Sequence, residues 1–252
     1  TSLIFCETDD SSTFTNVDLF DQLTGEDTGG TWTENSGTTE LSGPGDSVIN
    51  VQNIALLGPG TYTFTYTVNP THPICTPATA NVSITIEPVV DLNGATLAVD
   101  PDICFSQIGT TSIIGTITQG VTPIPNGTYN ITYVLTGANT GTQTIPVTFT
   151  GGTTSFTVNN AFLLNIGTTT VEITTILDPS TTLDCTRTIS NLTSTFIINE
   201  NPNVSDSQLV IDDICITETA VGNINDINGP TFELSNGTYA VTFSLTGPSG
   251  TL

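Results

Sequence analysis

The chain has 252 residues, of which 24 are Asp or Glu and one is Lys or Arg, giving a formal net charge of −23. Nucleic-acid binders and polybasic membrane anchors both need several cationic side chains, so this composition excludes both classes. The single cation is Arg187 and lysine is absent, which also excludes a P-loop, a Schiff-base enzyme and a lysine isopeptide cross-link.

The first 88 residues are predicted to form one β-unit. Residues 60–68 (GTYTFTYTV) and 78–86 (ATANVSITI) alternate between apolar and polar side chains, as half-buried strands do. A Pro-rich loop at 69–77 separates the two runs, which predicts a closing hairpin. Glu87 and Pro88 follow the second run, and we place the first domain boundary there.

Residues 89–203 are predicted to form a second, longer unit with the same ending. Residues 167–176 (GTTTVEITTI) alternate again and are followed by a loop with Cys185 and a last strand near 193–198. Each unit therefore closes with a hairpin that carries a Cys shortly before its final strand. Polar residues and Pro202 mark the end of this unit.

An internal repeat links the second unit to the rest of the chain. The segment 126–137 (NGTYNITYVLTG) matches 236–247 (NGTYAVTFSLTG) at a spacing of 110 residues, and 102–104 (DIC) recurs at 213–215. A repeating unit of this size indicates an array of similar domains. We therefore predict that 204–252 is the first, truncated part of a further repeat and that the chain is a mature segment or excised fragment.

These elements predict an all-β protein. The chain is rich in Thr, Val and Ile, which favour strands, and no helical periodicity of useful length appears. Many short strands separated by Gly and Pro turns are typical of antiparallel β-sandwiches, here joined end to end by short linkers. No run of 18 apolar residues exists, so no transmembrane helix is predicted, and the first residues do not resemble a signal peptide.

The five cysteines follow the repeat. Cys6 and Cys104 lie early in their units, Cys75 and Cys185 lie late, and Cys215 is the early cysteine of the third unit. We predict disulfides Cys6–Cys75 and Cys104–Cys185, each within one unit, with Cys215 unpaired in this segment. A disulfide that closes a loop of this length stabilises a fold by roughly 4 kcal/mol. The predicted disulfides also imply an oxidising, extracytoplasmic compartment. Zinc is the alternative, but no CxxC is present and His72 is the one histidine.

The acidic residues are interpreted mainly as solvated charge that keeps the protein soluble. Calcium is an alternative, because ligands for this ion are oxygens and acidic residues cluster after the predicted boundaries. Asp91 and Asp206 belong to these clusters. The calcium candidates that recur with the repeat are Asp100, Asp102, Asp212 and Asp213. We otherwise expect no cofactor.

Several further residues have a structural and a functional interpretation. His72 is expected to be an exposed loop residue rather than a catalytic base, since no GxSxG elbow accompanies it. Trp32 is expected in the core, with a sugar-stacking platform as the alternative. Tyr62, Tyr129 and Tyr239 each follow Gly-Thr and are expected to hydrogen-bond to the backbone at strand edges.

Three motifs stand together in the first unit, 18–25 (DLFDQLTG), 29–33 (GGTWT) and 60–66 (GTYTFTY). With these motifs the unit resembles the repeats of giant Bacteroidota cell-surface adhesins associated with gliding motility and type IX secretion. The resemblance covers 1–88 by motif and 89–252 by composition and repeat style. It implies Ig-like sandwiches on the outer surface. It also implies a candidate O-glycosylation site at Ser47, because 46–48 (DSV) is similar to the acceptor motif of that phylum.

The function that this implies is mechanical. We predict a non-catalytic structural segment of an extracellular adhesin filament or stalk, attached to the outer membrane through another part of the protein or a partner. Its expected partners are neighbouring repeats and a surface polysaccharide or substratum. The alternatives are a polysaccharide-binding module, which needs exposed aromatic rings, and an ancillary region of a secreted enzyme whose catalytic domain lies elsewhere.

Overall fold

The computed structural model describes every residue except 11, 73, 204–206, 216, 227–237, 245, 248–249 and 252, together with the side chains of 225–226, 247 and 250–251. The protein is all-β, and its strands form several separate sheets. The first unit contains a four-stranded sheet of order β1-β6-β5-β3 and a two-stranded sheet of β2 and β4. Its strands are β1 (Ser2–Cys6), β2 (Asn16–Asp18), β3 (Thr31–Glu34), β4 (Val48–Asn50), β5 (Gly60–Val68) and β6 (Ala78–Glu87). A 3-10 turn, Leu19–Gln22, and the short helix α1, Val51–Ala55, connect them.

The second unit contains a five-stranded sheet of order β11-β10-β13-β14-β8 and a three-stranded sheet of order β12-β9-β7. Its strands are β7 (Thr96–Asp100), β8 (Ile103–Cys104), β9 (Ile114–Thr118), β10 (Gly127–Gly137), β11 (Gly141–Phe149), β12 (Thr153–Thr157), β13 (Gly167–Leu177) and β14 (Thr186–Asn199). Two 3-10 turns lie at Phe105–Gln107 and Asn160–Phe162.

Two hydrophobic cores hold these sheets together. One is formed by buried residues between 14 and 86, and the other by buried residues between 90 and 198. In the second core Tyr133 of β10 stacks on Phe156 of β12, with ring centroids 5.4 Å apart, so the two sheets pack face to face. This is the two-layer arrangement expected of a β-sandwich. The domain boundaries themselves stay predictions.

Outward faces of the strands carry Thr hydroxyls that pair across neighbouring strands. Thr132 and Thr144 lie 2.8 Å apart through their hydroxyl oxygens, and Thr128 and Thr148 lie 3.0 Å apart. Such cross-strand pairs stabilise a sheet while leaving a polar surface. The abundance of Thr thus supplies both strand propensity and the water-facing surface of a chain with few charged residues.

Within 204–252, two hairpins are described. The first pairs β15 (Ser207–Ile211) with β16 (Gly222–Asp226), and the second pairs β17 (Thr246–Gly247) with β18 (Gly250–Thr251). β15 covers most of 209–212 (LVID), which repeats 97–100 (LAVD) of β7, and a further repeat at 204–252 stays a prediction. The copy of β10 falls on 236–247, where 236, 237 and 245 lie outside the described residues and 238–244 are not in a strand. β10 has strands on both sides, whereas in the described part of this segment only 246–247 form a strand, β17, whose described partner is β18.

The structure corrects the prediction of purely antiparallel pairing in one respect. β1 pairs in parallel with β6, placing Cys6 opposite Glu87, and β8 pairs in parallel with β14, placing Cys104 opposite Asn199. Each unit's early strand therefore runs in the same direction as its last strand. As a result, the early cysteine lies at the end of the unit from which the chain leaves.

Two of the tyrosines predicted at strand edges each make a hydrogen bond of the same kind to the backbone. The Tyr62 hydroxyl donates to the Gly58 carbonyl at 2.7 Å, and the Tyr129 hydroxyl donates to the Pro125 carbonyl at 3.2 Å. Both acceptors lie four residues upstream, so the two units fix this corner in the same way. Tyr239 is half exposed, and the residue four positions before it lies outside the described residues.

Removing either hydroxyl should weaken the unit that contains it. We expect Tyr62→Phe and Tyr129→Phe each to lower the free energy of unfolding by about 1 kcal/mol, the usual contribution of one such hydrogen bond. Urea unfolding followed by circular dichroism measures the loss. Thr128→Ser next to Tyr129 serves as a control, because it keeps a hydroxyl on the outer face and should change little.

Candidate functional site

The feature that stands out is a covalent junction between the two units. Cys6, at the end of β1, is bonded to Cys185, which directly precedes β14, across 179 residues of sequence. Both side chains are buried and pack against Val89 in the connecting segment. We call residues 6–8, 87–91 and 178–187 the junction. It brings the exit end of the first unit against the hairpin loop of the second.

The predicted pairings Cys6–Cys75 and Cys104–Cys185 are wrong, and strand geometry gives the reason. Cys6 lies opposite the last residue of β6, whereas Cys75 precedes its first residue. At about 3.3 Å per residue, the two cysteines are separated by roughly 30 Å of strand. Cys104 and Cys185 lie at opposite ends of the longer β14. A disulfide needs Cα atoms within about 7 Å, so neither pair can form.

Cys75, Cys104 and Cys215 carry no disulfide in the described part of the chain. Cys75 and Cys215 are exposed, and Cys104 is half-buried. The sequence could not separate the two schemes, because early and late cysteines alternate and a bond to the next unit fits that alternation as well as a bond within a unit.

Glu87 ties the two units together beside the disulfide. Its carboxylate accepts hydrogen bonds from the backbone N–H groups of Thr182, at 2.7 Å, and Leu183, at 3.1 Å. Thr8 adds a bond from its hydroxyl to the Thr186 carbonyl at 3.2 Å. The last residue of β6 thus caps the loop of the second unit. The sequence marks Glu87 only as a boundary residue, because its partners lie 95 and 96 residues away.

The junction contains the charged side chain of Glu87 and one ion pair, between Arg187 and Asp91. Burial raises the pKa of Glu87, but the hydrogen bonds from Thr182 and Leu183 outweigh it, so the pKa lies below its ordinary value. Arg187, the chain's one cation, lies 3.7 Å from Asp91 between guanidinium and carboxylate. Both partners are about one-third exposed, so the pair contributes little to stability. Its position nevertheless places the only positive side chain at the junction.

The junction contact should weaken in acid. A lowered folded-state pKa means that the carboxylate contributes fully above the ordinary value of 4.5 and loses its contribution as the pH falls through the folded-state pKa. The amide proton shifts of Thr182 and Leu183, measured by NMR, should therefore titrate together below pH 4.5. Glu87→Gln should abolish that titration.

Glu7→Gln is the matched control for this experiment. The Glu7 carboxylate also accepts a backbone N–H in the junction, from Val89 at 3.3 Å, but it does not contact the 182–183 amides. The variant should leave their titration unchanged. Amide shifts that stay constant between pH 7 and pH 3 in the native chain would contradict the role assigned to Glu87.

The junction also holds the one group of potential metal ligands found among the described residues. Cys6, Glu87 and Cys185 have ligand atoms within 4.8 Å of one another, but both sulfurs are committed to the disulfide. None of the predicted calcium ligands joins a group of three in that part of the chain. Asp100, Asp102, Asp212 and Asp213 are all exposed, and Asp102 instead accepts a hydrogen bond from the Ile197 N–H at 2.7 Å. Asp206 lies outside the described residues, and calcium stays a prediction.

Trp32 and His72 take the structural roles expected of them. Trp32 is 2 % exposed and packs against Phe20 and Tyr66, with ring centroids 5.5 and 5.1 Å away. It cannot present a face to a sugar. His72 is exposed in the 69–77 loop, where its Nδ1 accepts the Ile74 N–H at 3.4 Å.

Ser47, the predicted glycan acceptor, lies half-buried just before β4. Its neighbour Asp46 accepts hydrogen bonds from the Ser42 hydroxyl, at 2.7 Å, and from the Ser42 backbone N–H. The bond from the Ser42 hydroxyl is the main cause of the lowered pKa of Asp46. The carboxylate therefore fixes the local turn, and glycosylation of Ser47 stays a prediction.

No helix in the described part of the chain combines the length and apolar character needed to cross a membrane. No protein-family model matches the chain, and no curated protein matches it. A solved structure of a Ca²⁺-stabilised adhesin that helps an Antarctic bacterium reach out and bind ice is similar, with 13% identity and a TM-score of 0.38. The match covers 83% of this chain and 49% of that one, so the chain spans about half of its length. Similarity at this level assigns neither family nor function.

Proposed function

We propose that this chain is a structural segment of a long extracellular adhesin stalk, built from tandem Ig-like β-sandwiches and acting mechanically rather than by catalysis. The observation that carries the proposal is the covalent junction. The Cys6–Cys185 bond and the Glu87 contacts hold successive units in one fixed arrangement. A linker clamped in this way transmits force and orientation, whereas a free linker would act as a swivel.

The path of the covalent chain through the junction supports a mechanical role. β1 ends at Cys6, the disulfide crosses to Cys185, and β14 begins at the next residue. Two extended strands are therefore joined into one covalent line that passes from the first unit through the second. Tension along this line does not pass through the cores in series.

Compartment and surface charge agree with an extracellular stalk. A disulfide that holds domains together persists where the environment is oxidising. The net charge of −23 with a single cation keeps neighbouring stalks apart by repulsion. Attachment to a Bacteroidota cell surface, type IX secretion and a part in gliding motility belong to this proposal through the motifs at 18–25, 29–33 and 60–66.

Labelling of living cells tests the proposal. An antibody against residues 89–203 should stain intact cells of the source organism, and the labelled spots should travel along the cell if the stalk serves gliding. Surface label that stays in place would support an extracellular stalk and contradict a role in gliding. Staining that appears only after permeabilisation would overturn the extracellular assignment altogether.

A further inference from the structure

We propose that Cys104 forms the next link of a disulfide chain, bonding to the late cysteine of a β-sandwich that follows the second unit, as Cys6 bonds to Cys185. The partner is a domain of the same design whose hairpin loop presents a Cys just before its last strand. The proposed bond would fix the C-terminal end of residues 89–203 to the next domain of the stalk. The inference rests on the tandem arrangement of domains in the proposed function and does not depend on adhesion.

The local structure around the early cysteines is the first argument. The backbone N–H of each one donates to a side-chain oxygen three residues later. The bonds are Cys6 to Asp9 at 2.9 Å, Cys104 to Gln107 at 2.7 Å and Cys215 to Glu218 at 2.8 Å. Three different side chains thus make the same turn, and Cys6 and Cys104 are each the last residue of a short strand. One of these three cysteines carries the inter-unit bond.

The sheet register is the second argument. Cys6 lies opposite Glu87, the last residue of β6, and Cys104 lies opposite Asn199, the last residue of β14, both in parallel pairs. Each early segment also contacts the linker two residues beyond that position. Val89 N–H donates to Glu7, and Ser106 N–H donates to Asn201 at 3.0 Å. Cys104 therefore occupies, in the second unit, the place that Cys6 occupies in the first.

The chain also shows what the partner looks like. Cys185 ends a loop that starts Asp178-Pro179 and links the two longest neighbouring strands, β13 and β14. Cys75 lies in the corresponding loop of the first unit, which starts Asn69-Pro70 and precedes β6, and it is exposed. Both complete hairpins thus carry a late cysteine. Cys185 is bonded to Cys6, and Cys75 is exposed and carries no disulfide.

The chemistry requires an oxidant, which a thiol oxidoreductase bearing an exposed disulfide supplies. The Cys104 thiolate attacks that disulfide and forms a mixed disulfide with release of one enzyme thiolate. The partner's late thiolate then attacks the Cys104 sulfur and displaces the enzyme as its dithiol. Two thiols lose two electrons and two protons, and the oxidoreductase disulfide gains them.

Disulfide mapping of the protein taken from its own cells tests this inference. Free thiols are blocked with N-ethylmaleimide at lysis, and the protein is digested with pepsin, since residues 1–252 hold a single Arg and no Lys and so give trypsin one cleavage site. We expect the Cys6–Cys185 peptide pair and a second pair that joins Cys104 to a cysteine in an Asn-Pro or Asp-Pro hairpin loop. Labelling of Cys104 should be almost lost without prior reduction.

Three results would overturn the inference. They are an N-ethylmaleimide-labelled Cys104, a Cys104 bond to Cys75, Cys185 or Cys215 of the same chain, and a Cys104 bond that links two separate chains, which appears as a dimer on a non-reducing gel. The Cys6–Cys185 pair is the internal control, and its absence would remove the basis of the inference. Because the mapping does not depend on where the protein resides, its outcome is separate from that of the cell-labelling experiment.

Discussion

Pulled from its two ends, the oxidised chain should extend far less than its length allows, and breaking the Cys6–Cys185 bond should add about 600 Å of contour length. The bond closes a loop across 179 residues, and each residue contributes at most about 3.3–3.6 Å when extended. A disulfide outlasts the forces that unfold β-sandwiches. While it is intact, residues 7–184, which contain the buried residues of the first core and most of those of the second, lie outside the covalent path of the load.

Single-molecule force spectroscopy with handles at residues 1 and 252 measures this difference. Cys6→Ser should show the added length without any reducing agent. Cys75→Ser is the matched control, since Cys75 is exposed and bears no disulfide, and it should extend like the native chain. If the native oxidised chain and Cys6→Ser release the same total length, the bond is not in the load path and the mechanical proposal fails.

Replacing Tyr133 by Ala should destabilise the second unit by about 3–5 kcal/mol while leaving the first unit folded. Tyr133 is fully buried and stacks on Phe156 from the opposite sheet. Its hydroxyl donates to Gln143 at 2.8 Å and accepts the Asn159 N–H at 3.0 Å. The truncation therefore opens a cavity between the sheets and leaves a backbone N–H without its acceptor.

The position of the single tryptophan makes the two units separately observable. Trp32 belongs to the first core, so its fluorescence follows that unit alone, whereas circular dichroism follows both. In Tyr133→Ala the dichroism transition in urea should split, with the Trp32 transition unchanged. Tyr133→Phe is the control and should cost about 1–2 kcal/mol, because it removes only the hydroxyl. A Trp32 transition that shifts with the mutation would mean that the two cores unfold as one.

Local patterns in the sequence determined much of this protein. Alternation at 60–68, 78–86 and 167–176 identified β5, β6 and β13, because a strand with one buried face repeats every two residues. Trp32, His72, Tyr62 and Tyr129 were placed correctly for a similar reason. Their environments depend on the strand or loop that carries them, and the sequence within a few residues specifies that element.

Only the tertiary structure decided how the units are joined. The parallel pairing of β1 with β6 leaves no local signature, yet it moves Cys6 about 30 Å from Cys75 and brings it to the exit end of the unit. The role of Glu87 depends on amides 95 and 96 residues away. Strand composition reports burial and alternation, which are local. Strand direction and the choice of disulfide partner depend on contacts between segments that are distant in sequence. In this protein the end of β1 lies beside the end of β6 and is bonded to the loop before β14, and these contacts form the junction.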